Sequence, residues 1–328
     1  MTTSNSLSAQ AQRLRRMKLR LAILIGLVVV FAALYQFAFV NPKFFSYAMS
    51  VRLPRLAVLL IAGTAISAAA IVFQTIIRNN IVTPCLLGMN SLYLLIHTAV
   101  VFFLGSGSEF ATNPVLAFAA DIVVMGSAAS FIYYGIFRRT GGNVLYVLLI
   151  GTVLTTFFSS VQNSLTRIMD PNEYDALLNS LVASFTNVNA ACIVPGALLL
   201  LLIAWMLRRD LAILDVMSLG REAAVSLGVD YEGALKRLMV GVALAIAVAT
   251  ALVGPLSFLG LITANVARQM FSTFRHSYLI AGASLVGMLV LAAGQFAVEH
   301  VMVYSAPVSV FVTIGGGIYF LYLILTQK

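Results

Sequence analysis

Residues 21-LAILIGLVVVFAALYQFAFV-40 form an unbroken stretch without a charged side chain. A helix rises about 1.5 Å per residue, so this stretch reaches ~30 Å, the thickness of a bilayer's hydrocarbon core. Upstream lies 1-MTTSNSLSAQAQRLRRMKLR-20, a polar tail closing on a basic cluster. A secretory signal has a shorter apolar core followed by a small-residue cleavage site, and that pattern is not read here. The stretch predicts a retained first membrane helix with its basic flank in the cytoplasm.

Composition extends that reading to the whole chain. Of 328 residues 61% are apolar and 9% are charged, whereas soluble domains carry roughly 25% charged residues. Too few charges remain to coat a water-soluble surface, so an all-α integral membrane protein is expected. The formal charge is +9, from 20 basic and 11 acidic residues. On a soluble protein that excess would point to nucleic acid. On a spanning protein basic residues gather in cytoplasmic loops, and no nucleic-acid partner is expected. Cys85 and Cys192 adjoin apolar stretches and form no C-x-x-C pair, which reads as small buried residues.

Ten helical segments are predicted, over 19–40, 54–77, 86–105, 114–137, 144–167, 190–207, 234–254, 257–271, 278–299 and 307–326. Turn residues mark the breaks: Asn41 and Pro42, Pro84, 105-GSGSEFATNP-114, Gly141 and Gly142, Asp170 and Pro171, Gly254 and Pro255, and Pro307. An even number of spans returns both termini to the cytoplasm. Lys43, Arg52, Arg55 and Arg167 then lie outside, while the remaining basic residues, Lys328 included, lie inside. Small residues recur four apart at Gly63/Ser67, at Gly241/Ala245/Ala249 and at Ala283/Gly287. That spacing lets helix backbones approach closely in lipid, so one compact bundle is expected. The organisation is a cytoplasmic tail over 1–18 and a single transmembrane domain over 19–328, with longer connections at 168–189 outside and 208–233 inside.

His97, His276 and His300 lack partners at metal-ligand spacing, and no H-E-x-x-H, G-x-S-x-G or Walker A sequence occurs. The chain is therefore not expected to be an enzyme or to hold a metal or cofactor. Ion-coupled transporters bury ionisable groups near the bilayer midplane. Asp121, in 115-VLAFAADIVVMG-126, is the one acid clearly inside an apolar span. It reads either as a hydrogen-bonded acid near the outer surface or as part of a relay whose partners the sequence does not reveal. Glu299 and His300, at the outer end of a span, read as an interfacial pair. A bundle with no energy source of its own fits transport powered by another subunit. Ion-coupled secondary transport is the alternative from a different class.

The inside segment 218-SLGREAAVSLGVDYEGALKR-237 is charged and bracketed by Gly220 and Gly228. Residues 221-REAAVSL-227 allow about two helical turns, which are marginal alone in water. The segment is thus either an ordinary connecting loop or a short helix that docks on a partner. Arg221 and Glu222 would offer polar contacts, and Ala223, Ala224 and Leu227 a small apolar face.

The stretch 219-LGREAAVSLGVD-230, followed by 254-GPLSFLGLITANVAR-268, resembles the FecCD family of ABC-importer permeases. That family's pattern runs L-G-x-x-A-A-x-x-L-G-V, then G-x-I-x-F-V-G-L-x-x-P-H-x-x-R. The N-terminal half is similar too: 52-RLPR-55, Gln74, 78-RNN-80, Pro84 and 87-LG-88 follow R-L-P-R…Q-x-x-x-R-N-P-L-A-x-P-x-x-L-G, so the resemblance covers nearly the whole chain from Arg52 onward. It implies the type II ABC-importer permease fold of ten transmembrane helices, set in a bacterial inner membrane. It also implies import of iron–siderophore complexes, haem or vitamin B12 with the help of other subunits. These are a second permease, two cytoplasmic ATPases that bind ATP and magnesium, and a periplasmic binding protein. Within 210–233, Leu219, Gly220, Arg221, Glu222, Ala223, Ala224, Leu227 and Gly228 would form the coupling element seated in a cleft of the ATPase.

Departures narrow the branch. Ala264 and Asn265 replace the family's proline and histidine, Asn80 replaces a proline, Gly294 and Gln295 fall where many members carry an acid, and 305-SAP-307 replaces Glu-Leu-Pro. With 88-GMNSLYLLIH-97, these features resemble the importers of catecholate or mixed-type siderophores such as vibriobactin, anguibactin, petrobactin or enterobactin. They suggest a second, different permease as partner, a homodimer being the alternative. Import of haem or a cobalamin is the runner-up within the same fold.

Related permeases use the arginines of R-L-P-R to meet carboxylates of the substrate-binding protein, and Arg52 and Arg55 match them. The other reading is snorkelling of both heads to lipid phosphate. Some relatives use a further arginine in the ninth helix, where Val298 stands here. A ferric siderophore is large and keeps its own iron, so its path needs small or weakly polar residues and no iron ligand. Candidates are Thr64, Ser67 and Gln74 on the second helix and Met89, Asn90 and Ser91 at the start of the third, with helix packing as the other reading.

Overall fold

A computed structural model of the chain describes residues 2–140, 144–181, 183, 185, 188–302 and 306–326. Among these residues every regular element is helical. In chain order they are α1 (Thr2–Phe37), α2 (Phe45–Ile77), α3 (Met89–Leu104), the four-residue α4 (Glu109–Thr112), α5 (Pro114–Thr140), α6 (Val144–Ile168) and α7 (Pro171–Leu181). There follow α8 (Ala190–Met206), α9 (Arg208–Met217), α10 (Arg221–Ser226), α11 (Tyr231–Val253), α12 (Leu259–Phe271), α13 (His276–His300) and α14 (Val308–Thr326).

The turn residues act where local chemistry requires them. The Asn41 side chain accepts from the Lys43 N–H at 3.1 Å and opens a 3₁₀ turn at Pro42–Phe44. Pro84 starts a second 3₁₀ turn at Pro84–Leu87, and Gly88 then adopts φ 93°, a left-handed conformation open mainly to glycine. Gly141, Gly142, Ser305 and Lys328 lie outside the described residues.

Seven of the helices are long and apolar enough to cross a membrane, and an eighth span results if α8 and α9, bent by 56° at their junction, are counted as one. Of the ten expected spans, length and apolar composition among the described residues support seven or eight. All ten apolar segments are helical, but α3 has 16 residues and α12 has 13. At 1.5 Å per residue these reach only about 24 and ~20 Å, short of a bilayer core. α3 stops between Gly88 and Gly105. α12 is bounded by two left-handed residues that are not glycine, Phe258 (φ 60°) and Ser272 (φ 42°). Two further boundaries differ from expectation. α1 begins at Thr2, so the 1–18 tail continues the first helix. α2 begins at Phe45 and carries Pro54 inside it, so Arg52 and Arg55 sit on a helix and not on the approach to one.

α2 is the axis of the bundle, packed by α11, α12 and α13, with α8 and α9 beside them. Its neighbours come this close because of the small residues. A Cβ on Gly63 would lie 2.8 Å from the Gly287 backbone, and Ser67, fully buried, abuts Gly287 as well. Gly241 on α11 admits the side chains of Leu207 and Ile203 in the same way. Between helices in lipid it is this backbone approach, more than a hydrophobic drive, that holds the pair together.

Candidate functional site

At one end of the bundle Arg52 is anchored internally. Its Nη1 donates to the carbonyls of Tyr35 (3.1 Å), Gln36 (3.3 Å) and Ala38 (2.9 Å), where α1 ends. A helix C-terminus leaves its last carbonyls without partners, and the guanidinium supplies donors for them. Nη2 meets Glu299 Oε1 at 3.0 Å on α13, with His300 Nε2 at 3.4 Å. The Arg52 and Glu299 side chains are only 12% and 10% exposed. Arg52 thus fastens the ends of α1, α2 and α13, and Glu299 balances its charge. Arg55 is half-buried one turn further along α2, and Val298 is buried.

The path candidates divide. Ser67, Gln74 and Met89 are buried in the packed core. Thr64 is half-buried, and its hydroxyl donates to Leu60 O of its own helix at 2.7 Å. Asn90 Nδ2 donates to Ser257 Oγ at 2.9 Å, joining the start of α3 to the turn before α12, while Asn90 Oδ1 is buried without a hydrogen bond. Ser91 meets Ser159 Oγ of α6 at 3.1 Å. Asn90 and the buried Ser91 thus join the start of α3 to the turn before α12 and to α6, Thr64 bonds within α2, and Ser67 serves the contact of α2 with α13.

At the opposite end the segment bracketed by Gly220 and Gly228 forms the six-residue α10. Gly220 takes φ 109°, a conformation that favours glycine, and a Cβ there would lie 3.1 Å from the mobile end of the Arg78 side chain. Leu219, Val225 and Leu227 are exposed at 61%, 55% and 65%, an apolar face flanked by Arg221 and Glu222. Ala224, expected on that face, is fully buried instead and Ala223 is half-buried. Residues 223, 224 and 227 do share one side by helical spacing, but packing turns Ala224 inward, and Val225 stands outward with Leu227. Below this face, Asp210 of α9 accepts a forked pair from Arg237 of α11, with contacts of 2.8, 3.0 and 3.2 Å. Arg221 pairs with Glu232 at 3.0 Å, and Asp230 caps α11 through the Gly233 N–H at 3.1 Å.

Two pairings escaped the sequence reading. Asp121 has a partner after all: its Oδ2 lies 3.0 Å from His97 Nε2 across α5 and α3, beside a cavity of about 160 Å³ lined by Ser106, Phe110 and Leu177 among others. The residues stand 24 apart, so no local spacing betrays them. Asp215 Oδ1 of α9 lies 2.6 Å from His276 Nδ1 at the start of α13, and His276 Nε2 lies 2.9 Å from Thr75 Oγ1 of α2. Among the described residues no group of three or more His, Cys, Asp or Glu is placed to hold a metal ion.

Comparison with known proteins adds to this geometry. A model of the FecCD transport family matches residues 14–326. The petrobactin import system permease protein YclO of Bacillus subtilis is 38% identical over 313 residues, covering 95% of this chain and 99% of that one. The petrobactin import system permease protein FatC of Bacillus anthracis is 31% identical over 277 residues, covering 84% and 78%. A solved structure described as an inward-facing metal-chelate type ABC transporter superposes with a TM-score of 0.79 at 23% identity, covering 95% of this chain and 100% of that one. That last similarity establishes the fold.

Proposed function

The chain belongs to the FecCD transport family, and from that premise we propose that it is the membrane-spanning permease of an ATP-driven importer carrying ferric siderophore from periplasm to cytoplasm. The observation that carries this is identity of 38% across nearly all of both chains with a petrobactin permease. The substrate is accordingly a siderophore of the petrobactin kind.

In this reading the seven long helices, the α8 and α9 pair, α3 and α12 together make ten passes. The two short helices end inside the bundle, where irregular backbone is tolerated because protein and not lipid surrounds it. Basic residues set the orientation, with both termini and the Arg78 end in the cytoplasm of a bacterial inner membrane. No cofactor is assigned to this chain. ATP and magnesium belong to two partner ATPases, and a second permease closes the path along Thr64, Asn90 and Ser91.

α10 is the coupling element. Its exposed Leu219, Val225 and Leu227 would enter an ATPase cleft, and Arg221 and Glu222 would register it. The binding protein would dock at the opposite end on Arg55, with Arg52 holding the α1, α2 and α13 ends that form the platform. Deletion of the gene should abolish growth on ferric petrobactin as sole iron source while leaving growth on haem and uptake of cobalamin unchanged. Loss of haem or cobalamin uptake instead would reassign the substrate.

A further inference from the structure

One polar cluster ties the ATPase-facing segment to the axial helix. Asp215 lies on α9, three residues before that segment opens at Ser218. Its Oδ1 accepts the backbone N–H of His276 at 2.8 Å and meets the ring Nδ1 at 2.6 Å. A carboxylate oxygen held by both groups of one residue leaves α9 little freedom to slide on α13. The other ring nitrogen reaches Thr75 Oγ1 at 2.9 Å, so the buried imidazole joins α9, α13 and α2.

The cluster continues into α12. Arg268 Nη2 lies 3.5 Å from Thr75 Oγ1, and its Nε lies 3.5 Å from Gln74 Oε1. Just past the end of α2 the Asn80 carbonyl accepts from Gln74 Nε2 at 2.8 Å and from Asn265 Nδ2 at 2.9 Å. Gly220 meanwhile rests against Arg78, the left-handed cap of α2. Buried polar groups are costly unless each finds a partner, and a chain this apolar could have closed the region with leucine. These partners instead come from four helices and converge on the last turn of α2.

We propose that His276 is a positioning residue for transport, the post through which displacement of α9 and α10 is delivered to α2 and α12. The proposal rests on the reading of α10 as the ATPase-facing element. Packed cores rearrange between discrete states, so a fixed link transmits a shift where a loose loop would absorb it.

The test uses the whole complex in proteoliposomes, with partner permease, ATPases and binding protein, measuring ATP hydrolysis and ferric petrobactin uptake together. His276→Leu and Thr75→Val are expected to keep ATPase assembly and hydrolysis, while uptake per ATP falls about tenfold, within the range that residues along a coupling network produce. His276→Gln, which retains a donor and an acceptor, should recover part of the ratio. Unchanged uptake per ATP in both His276→Leu and Thr75→Val overturns the proposal. So does loss of uptake only in step with lost assembly, since that marks a purely structural role. A wild-type complex that hydrolyses ATP without moving siderophore overturns the functional reading itself.

Discussion

Arg52 Nη2 lies 3.0 Å from Glu299 Oε1, so the first arginine of the R-L-P-R motif is bound to the far end of α13. With the three α1 carbonyls on its other nitrogen, this guanidinium is a fastening as much as a surface charge. The two arginines are therefore expected to fail differently. Arg52→Glu sets a carboxylate against Glu299 and the α1 carbonyls, and should cost about 3–5 kcal/mol, the cost of breaking a buried pair. Thermal unfolding in detergent reads that loss. Arg55→Glu should slow binding-protein capture, because charge on a docking face acts mainly on encounter. Capture kinetics left unchanged by Arg55→Glu would contradict the division.

The α10 face makes a second pair of contrasting predictions. Leu227→Glu and Val225→Glu replace exposed apolar anchors and should weaken capture of the ATPase by about tenfold or more, a loss of ~1.4 kcal/mol. Neither should change the permease's own unfolding temperature. Ala224→Leu overfills a buried position and should lower that temperature by itself. Co-purification of the ATPase, set beside unfolding curves, separates the two effects.

Close approach of α2 and α13 gives a third. Because a Cβ on Gly63 would sit 2.8 Å from the Gly287 backbone, Gly63→Val should destabilise the bundle by about 1–3 kcal/mol or more, as overpacking does. Gly26, whose surroundings leave a Cβ free of contacts within 4 Å, is the control position and should tolerate the same change.

The His97 and Asp121 pair bears on the class of transport. Asp121→Asn keeps the size and one acceptor but removes the charge. For an ATP-driven importer, uptake by this variant should persist and remain insensitive to a protonophore. Uptake that becomes independent of the proton gradient only in the variant would make the pair a proton relay.

The helical, membrane-spanning character was legible because apolar runs and turn residues are local properties. So were Gly63/Ser67 and Gly287, since their spacing of four is a helix-surface pattern. The span number was less legible: α3 and α12 carry apolar composition like the rest, and only backbone geometry at Gly88, Phe258 and Ser272 shows where they stop. Arg52 was found from its motif, but its partners lie 14 to 248 positions away, beyond any pattern. Asp215 with His276, 61 apart, was hidden for the same reason. On α10 Val225 was passed over for Ala224, because which side of so short a helix meets the bundle is set by tertiary packing and not by spacing.

The most direct measurement is uptake of ferric petrobactin into proteoliposomes containing the full complex. The account predicts accumulation that requires internal ATP and external binding protein and is unaffected by collapse of the proton gradient. Uptake that survives without ATP and stops when the gradient is dissipated would contradict it.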